Sequence, residues 1–150
     1  MDLILWRHAE AEDGVDDLAR KLTARGERQA RRMAKWLAEH LADDVVILCS
    51  PAIRTRQTAS ALGRQIQVEP RLAPGHSPAQ LLAAAGWPNR AGLTVIVGHQ
   101  PTLGRVAAQL LAGIDDHWSV KKGAVWWIST HDPEGSGRIT LRAALSPDLL

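Results

Sequence analysis

The stretch LILWRHAEAE, residues 3–12, sets the reading of the whole chain. Four apolar residues run straight into an arginine and a histidine, and neither side chain tolerates burial without a partner. A short continuous apolar run closed off by polar residues is the pattern of a strand covered on both faces. Arg7 and His8 are therefore expected at the carboxyl end of a strand, which in open α/β sheets is where ligands bind.

The same pattern recurs twice. VVILCS (45–50) leads to Ser50 and, four residues on, to Arg54, while TVIVG (94–98) leads to His99. Between these runs the period changes from strand-like to helical. In LTARGERQARRMAKWLAEHL (22–41), Ala30, Met33, Ala34, Leu37 and Leu41 share one helix face and Thr23 stands where an N-cap belongs. PAIRTRQTASALGRQI (51–66) carries Ile53, Ala59, Leu62 and Ile66 near helical spacing, and IQVE (66–69) reads as a brief strand. SPAQLLAAAG has Ser77 and Pro78 as a helix start and Gly86 as its stop, and PTLGRVAAQLLAG (101–113) is a further helix. AVWWIST and RITLRAAL follow as two late strands joined by the turn HDPEGSG (131–137). Strands alternating with helices predict an α/β fold: a single-domain three-layer αβα sandwich around a central, mostly parallel mixed sheet. No repeat or linker divides the chain, so residues 1–150 are taken as one domain.

Composition narrows the class. A chain of 150 residues that is 45% hydrophobic and 23% charged suits one globular core and leaves neither disorder nor membrane residence indicated. The LILW run is too short for a signal peptide, and the lone Cys49 has no partner for a disulfide, so a cytoplasmic protein is expected. The formal net charge of +2 does not point to nucleic acid. The six histidines show no paired zinc spacing and no G-x-G-x-x-G follows the first strand, so neither a metal nor a dinucleotide cofactor is expected.

Taken singly, Arg7, His8, Arg54 and His99 each have an ordinary reading as a satisfied strand-end or surface group. Together, two guanidiniums and two imidazoles at the rim of one sheet fit a phosphoryl group, whose oxygens accept forked hydrogen bonds from Arg and whose charge offsets clustered cations. RHAEAE, LTARGERQA, SPAIRTRQTA and VGHQP occur in the order and approximate spacing of the histidine phosphatase superfamily, which the chain resembles from residue 3 to about 101. The resemblance implies a phosphoglycerate mutase-like fold and a metal-independent phosphatase. In it His8 is the nucleophile that forms a phosphohistidine intermediate, and Arg7, Arg54 and His99 bind the phosphoryl oxygens. His8 has to be neutral to attack, which neighbouring cations favour, whereas His99 facing those oxygens is expected to be protonated.

Ala9 stands where the broad family usually has Gly, a feature shared with the short phosphohistidine phosphatases of the SixA type. The family's leaving-group acid usually comes from a region that here, from Pro70 to His99, holds no Asp or Glu. His76 is the only titratable candidate in its loop, with Glu10 or Glu12 folded back as the alternative. An alkoxide needs a proton in the transition state, worth about 10²- to 10⁴-fold. An imidazole, with a reference pKa of about 6.5, leaves more easily. The expected activity is removal of the phosphoryl group from phosphohistidine on a partner protein, such as a phosphotransfer or phosphocarrier domain, in protein dephosphorylation and signal transduction. The alternatives are a small-molecule phosphomonoesterase or mutase-like enzyme of the same superfamily, and a non-catalytic phosphohistidine-binding adaptor.

Four further features stay open between function and structure. Ser50 is a phosphoryl donor or a strand end held extended before Pro51. Thr23 and Gly26 are phosphate-approaching groups or a plain helix start. Arg25, Arg28 and Arg32, with Arg31 and Lys35, are a solvated helix face or a docking surface for an acidic phosphocarrier or receiver-like protein. Lys121-Lys122-Gly123 carries no assigned role.

Overall fold

The computed structural model describes residues 1–131 and 137–150, so the middle of the expected HDPEGSG turn lies outside the described residues. Six strands form one sheet: β1 (Asp2–Arg7), β2 (Val46–Cys49), β3 (Gln67–Val68), β4 (Leu93–Gly98), β5 (Val125–Thr130) and β6 (Ile139–Leu145). Their order is β3-β2-β4-β1-β5-β6. The β2/β3, β2/β4 and β1/β4 pairs are parallel, and β1/β5 and β5/β6 are antiparallel. This is the mixed, mostly parallel sheet that the alternating pattern predicts.

Side-chain alternation along the inner strands builds two cores. Leu3, Leu5, Leu48 and Ile96 face one side, where α3 (Pro78–Ala85) and α4 (Thr102–Ala112) cover them with Leu81, Leu103 and Val106. Ile4, Trp6, Ile47, Val95 and Val97 face the other side, under α1 (Ala24–Ala38) and α2 (Ile53–Ser60), which contribute Met33, Leu37 and Ala59. Burial on both faces is why these strands read as continuous apolar runs. Trp126 and Trp127 divide between the two sides, the first packing near Trp118 and the second edge-on to Trp36.

Helix boundaries follow local chemistry. The Thr23 side chain accepts from Gly26 N at the start of α1, Ser77 and Gln80 form a reciprocal capping box at α3, and Gly86 closes α3 in the left-handed conformation. α2 is shorter than its apolar pattern suggests. It stops at Ser60, yet Leu62 and Ile66 still pack into the α1/α2 core from the non-helical chain that follows. Periodicity reports the buried face, not the backbone that reaches it.

For function, the consequence lies at one edge. β2, β4 and β1 are adjacent and parallel, with Cys49 level with Val97 and Arg7 level with Gly98. The residues that follow, Ser50, His99 and His8, therefore leave the sheet side by side.

Candidate active site

His8 N–H donates to the Gly98 carbonyl at 3.2 Å and Ser50 N–H to the Val97 carbonyl at 3.1 Å, so the ladder continues one residue past the strand ends and fixes both side chains. The His8 and His99 rings lie 5.4 Å apart between centroids, tilted by 54°. Arg54, from the first turn of α2, reaches this pair with Nη2 3.3 Å from His99 Nδ1. Three residues, His8, Arg54 and His99, each about 45 positions from the next, thus meet because parallel strands end at the same level and α2 starts beside them.

Hydrogen bonding assigns the tautomers. His8 Nδ1 is 2.7 Å from the Ala9 carbonyl, which can only accept, so Nδ1 carries the hydrogen and Nε2 keeps its lone pair. Burial, reinforced by the Arg54 and Arg7 charges and partly opposed by the Ala9 carbonyl, lowers the His8 pKa to about 4. His8 is therefore a neutral ring whose Nε2 lone pair is free. Arg54 can only donate, so His99 Nδ1 accepts from it and Nε2–H donates to Ser50 Oγ at 2.7 Å. Burial and the charges of Arg54 and His8 lower the His99 pKa to about 3. With Arg54 against its ring, His99 is neutral in this structure, whereas the protonated form expected from sequence is the one that faces phosphoryl oxygens. Ser50 in turn acts on the site through His99, whose ring it orients.

Arg7 is anchored by Nη1 to the Val120 carbonyl at 2.9 Å, and burial lowers its pKa. Arg54, with a side chain only 5% exposed, is held from outside by Asp17. Nη1 donates to the Asp17 carbonyl at 2.6 Å and Nη2 to Asp17 Oδ2 at 3.1 Å. Asp17 sits on the 3-10 turn Asp17–Ala19 and also accepts from Arg20 at 3.0 Å. The Arg20 and Arg54 bonds keep its carboxyl below the usual carboxylate range. Asp17 supplies the countercharge that buried Arg54 requires. No sequence motif singles out Asp17, although its spacing three residues before Arg20 is that of a side-chain pair.

Other sequence candidates fall elsewhere. Thr23 Oγ1 donates to Glu10 Oε2 at 2.8 Å and accepts from Gly26 N at 2.9 Å, so both residues use their polar groups within the helix start. Gly26 has a packing reason of its own, since a Cβ there would lie 1.9 Å from the Glu10 carbonyl oxygen. Glu10 is thereby tied to α1, and Glu12 is exposed. His76 accepts at its carbonyl from Thr102 Oγ1 near the start of α4, and its Nδ1 is buried with no partner among the described residues. Gly123, left unassigned by sequence, has φ +73 and donates its N–H to the carbonyls of both Arg7 and His8, while its own carbonyl accepts from Trp6 Nε1. That loop locks the backbone of the Arg7-His8 dipeptide.

Comparison with known proteins defines the class to which this fold and rim belong. Residues 3–76 match the histidine phosphatase superfamily (branch 1), a segment that holds Arg7, His8, Ser50 and Arg54 but not His99. The chain belongs to this superfamily, which includes phosphatases. A solved structure of a candidate phosphohistidine phosphatase SixA from Nakamurella multipartitia is 31% identical, covers 97% of this chain and 95% of its own, and superposes with a TM-score of 0.80. The protein histidine phosphatase SixA complexed with tungstate is 25% identical, with 99% of each chain covered and a TM-score of 0.78. Phosphohistidine phosphatase SixA of Escherichia coli K12 is 29% identical over 124 residues, 75% of this chain and 76% of the relative.

Proposed function

We infer that the protein is a phosphohistidine phosphatase acting on a partner protein through a phospho-His8 intermediate. The observation that carries this reading is the His8 ring itself: a buried, neutral imidazole with Nε2 unprotonated, facing His99 and the Arg54 fork. Nε2 forms a bond to phosphorus as the P–N bond to the substrate imidazole breaks. When the substrate ring arrives protonated on its other nitrogen it leaves neutral, and the positive charge appears on the His8 ring, where Nδ1–H points at the Ala9 carbonyl. Water then attacks phosphorus, the P–Nε2 bond breaks, and inorganic phosphate leaves with the water's proton passing to solvent or phosphate. Arg7, Arg54 and His99 are the groups assigned to the phosphoryl oxygens.

Asp17 bears on the leaving group. This carboxylate touches the site, but Arg20 and Arg54 hold it ionised, so it is a poor proton donor for an alkoxide. An imidazole leaving group makes no such demand. Relatives named as phosphohistidine phosphatases point the same way.

The test is turnover of a phosphohistidine phosphotransfer domain beside a panel of sugar phosphates and phosphoglycerates. The wild-type protein is expected to release phosphate from the domain and to trap an acid-labile label, and His8→Ala to do neither. Retained activity in His8→Ala removes the nucleophile assignment. Faster turnover of alkyl phosphates favours the small-molecule enzyme, and binding without release favours the adaptor.

A further inference from the structure

Two adjoining cavities lie along α1, and one of them reaches Arg7. One, of about 370 Å³, is lined by Arg7, Arg25, Lys121 and Lys122. The other, of about 240 Å³, is lined by Arg25, Arg28 and Arg32. They share Arg25, Gln29, Pro147 and Asp148, and so form one groove from the reactive dipeptide along the first half of α1. The cations outside the site are exposed, and none is in a salt bridge among the described residues. The groove is also held in place. Gly123 ties the lysine loop to Arg7 and His8, and its Cα lies so close to Pro147 that a Cβ would come within 2.9 Å of the ring. Arg31 points elsewhere, into a separate cavity with Leu22 and Gln57.

On the Arg54 side the rim has the opposite sign. Glu12, Asp13, Asp16 and Asp17 are exposed on the loop that reaches Arg54, with Val15 fully exposed among them. Taking the substrate to be a phosphorylated protein, as inferred above, we propose that the groove of Arg25, Arg28, Arg32, Lys121 and Lys122 is the docking site for an acidic surface of that protein. The partner's acidic side chains lie over α1 and the lysine loop, while its phosphohistidine enters between Arg7 and Arg54. A uniformly charged polyanion crossing the same rim meets the acidic loop, so a protein face fits this bipolar surround better than a nucleic acid.

The experiment compares kcat/KM for a phosphohistidine phosphotransfer domain of net negative charge with that for free phosphoramidate, in three charge-reversed pairs. Arg28→Glu/Arg32→Glu and Lys121→Glu/Lys122→Glu change the groove. Arg31→Glu/Lys35→Glu makes the same charge change on α1, with Arg31 lining the separate cavity. The groove pairs are expected to lose about tenfold or more on the domain and to stay within about twofold on phosphoramidate, with the control pair within about twofold on both. An equal loss in the control pair, an equal loss on phosphoramidate, or no loss on the domain overturns the docking site. So does tight binding of a short DNA duplex that the groove pairs abolish. Arg28→Gln/Arg32→Gln serves where a reversed pair fails to fold. Absence of wild-type turnover on both substrates is a different result, and it removes the phosphatase reading instead.

Discussion

Asp17 occupies two of the Arg54 donors, one by its carbonyl and one by its carboxylate. A phosphoryl group that takes both places has to displace that carboxylate, so part of its attraction to Arg54 is cancelled by the loss of an existing ion pair. Asp17→Ala is therefore expected to strengthen inhibition by inorganic phosphate or tungstate by about 3- to 10-fold, read from inhibition constants at low and high salt. Unchanged or weaker inhibition means that Asp17 supports Arg54 without competing for it. At this scale the sequence was readable where polar residues follow apolar runs: it grouped Arg7, His8, Arg54 and His99 as a set, and His8, Arg54 and His99 do meet at one rim. It was not readable for Asp17 or Gly123, whose parts depend on which distant backbone or guanidinium they meet.

α1 joins local signals to a tertiary constraint at its first turn. Thr23 caps it and its hydroxyl also binds Glu10, so Thr23→Ala removes a cap worth about 1 kcal/mol and loosens the segment after His8. Gly26→Ala is the harsher change, although alanine is the better helix former, because its Cβ would fall 1.9 Å from a backbone oxygen that cannot rotate away. The expected loss exceeds that of Thr23→Ala and reaches about 1–3 kcal/mol or more, measured by urea unfolding. If Gly26→Ala is neutral or stabilising, the close approach of α1 to Glu10 is wrong. The Thr23 cap and the Ser77 box were legible in sequence because capping is decided within four residues. The early end of α2 was not, since Leu62 and Ile66 reach the same core from either backbone.

Across the molecule, the two buried imidazoles link stability to pH. With folded-state pKa values of about 4 for His8 and about 3 for His99, against about 6.5 when unfolded, protons bind the unfolded chain first as pH falls. Their contribution is complete above about pH 6.5 and is lost progressively towards pH 4, by about 2–3 kcal/mol for each ring. Urea midpoints at pH 7 and 4.5 should show this loss, and His99→Gln should reduce it; an undiminished loss in that variant places the acid sensitivity in other groups. The layered α/β architecture followed from pattern alone, because burial on both faces of a parallel strand forces continuous apolar runs and a covering helix forces a 3.6-residue period. The rim chemistry, the neutral state of His99, the Asp17 clasp on Arg54 and the groove beside Arg7 were decided only in three dimensions. Tautomer, protonation and countercharge depend on a few ångströms between residues tens of positions apart, and no periodicity encodes those distances.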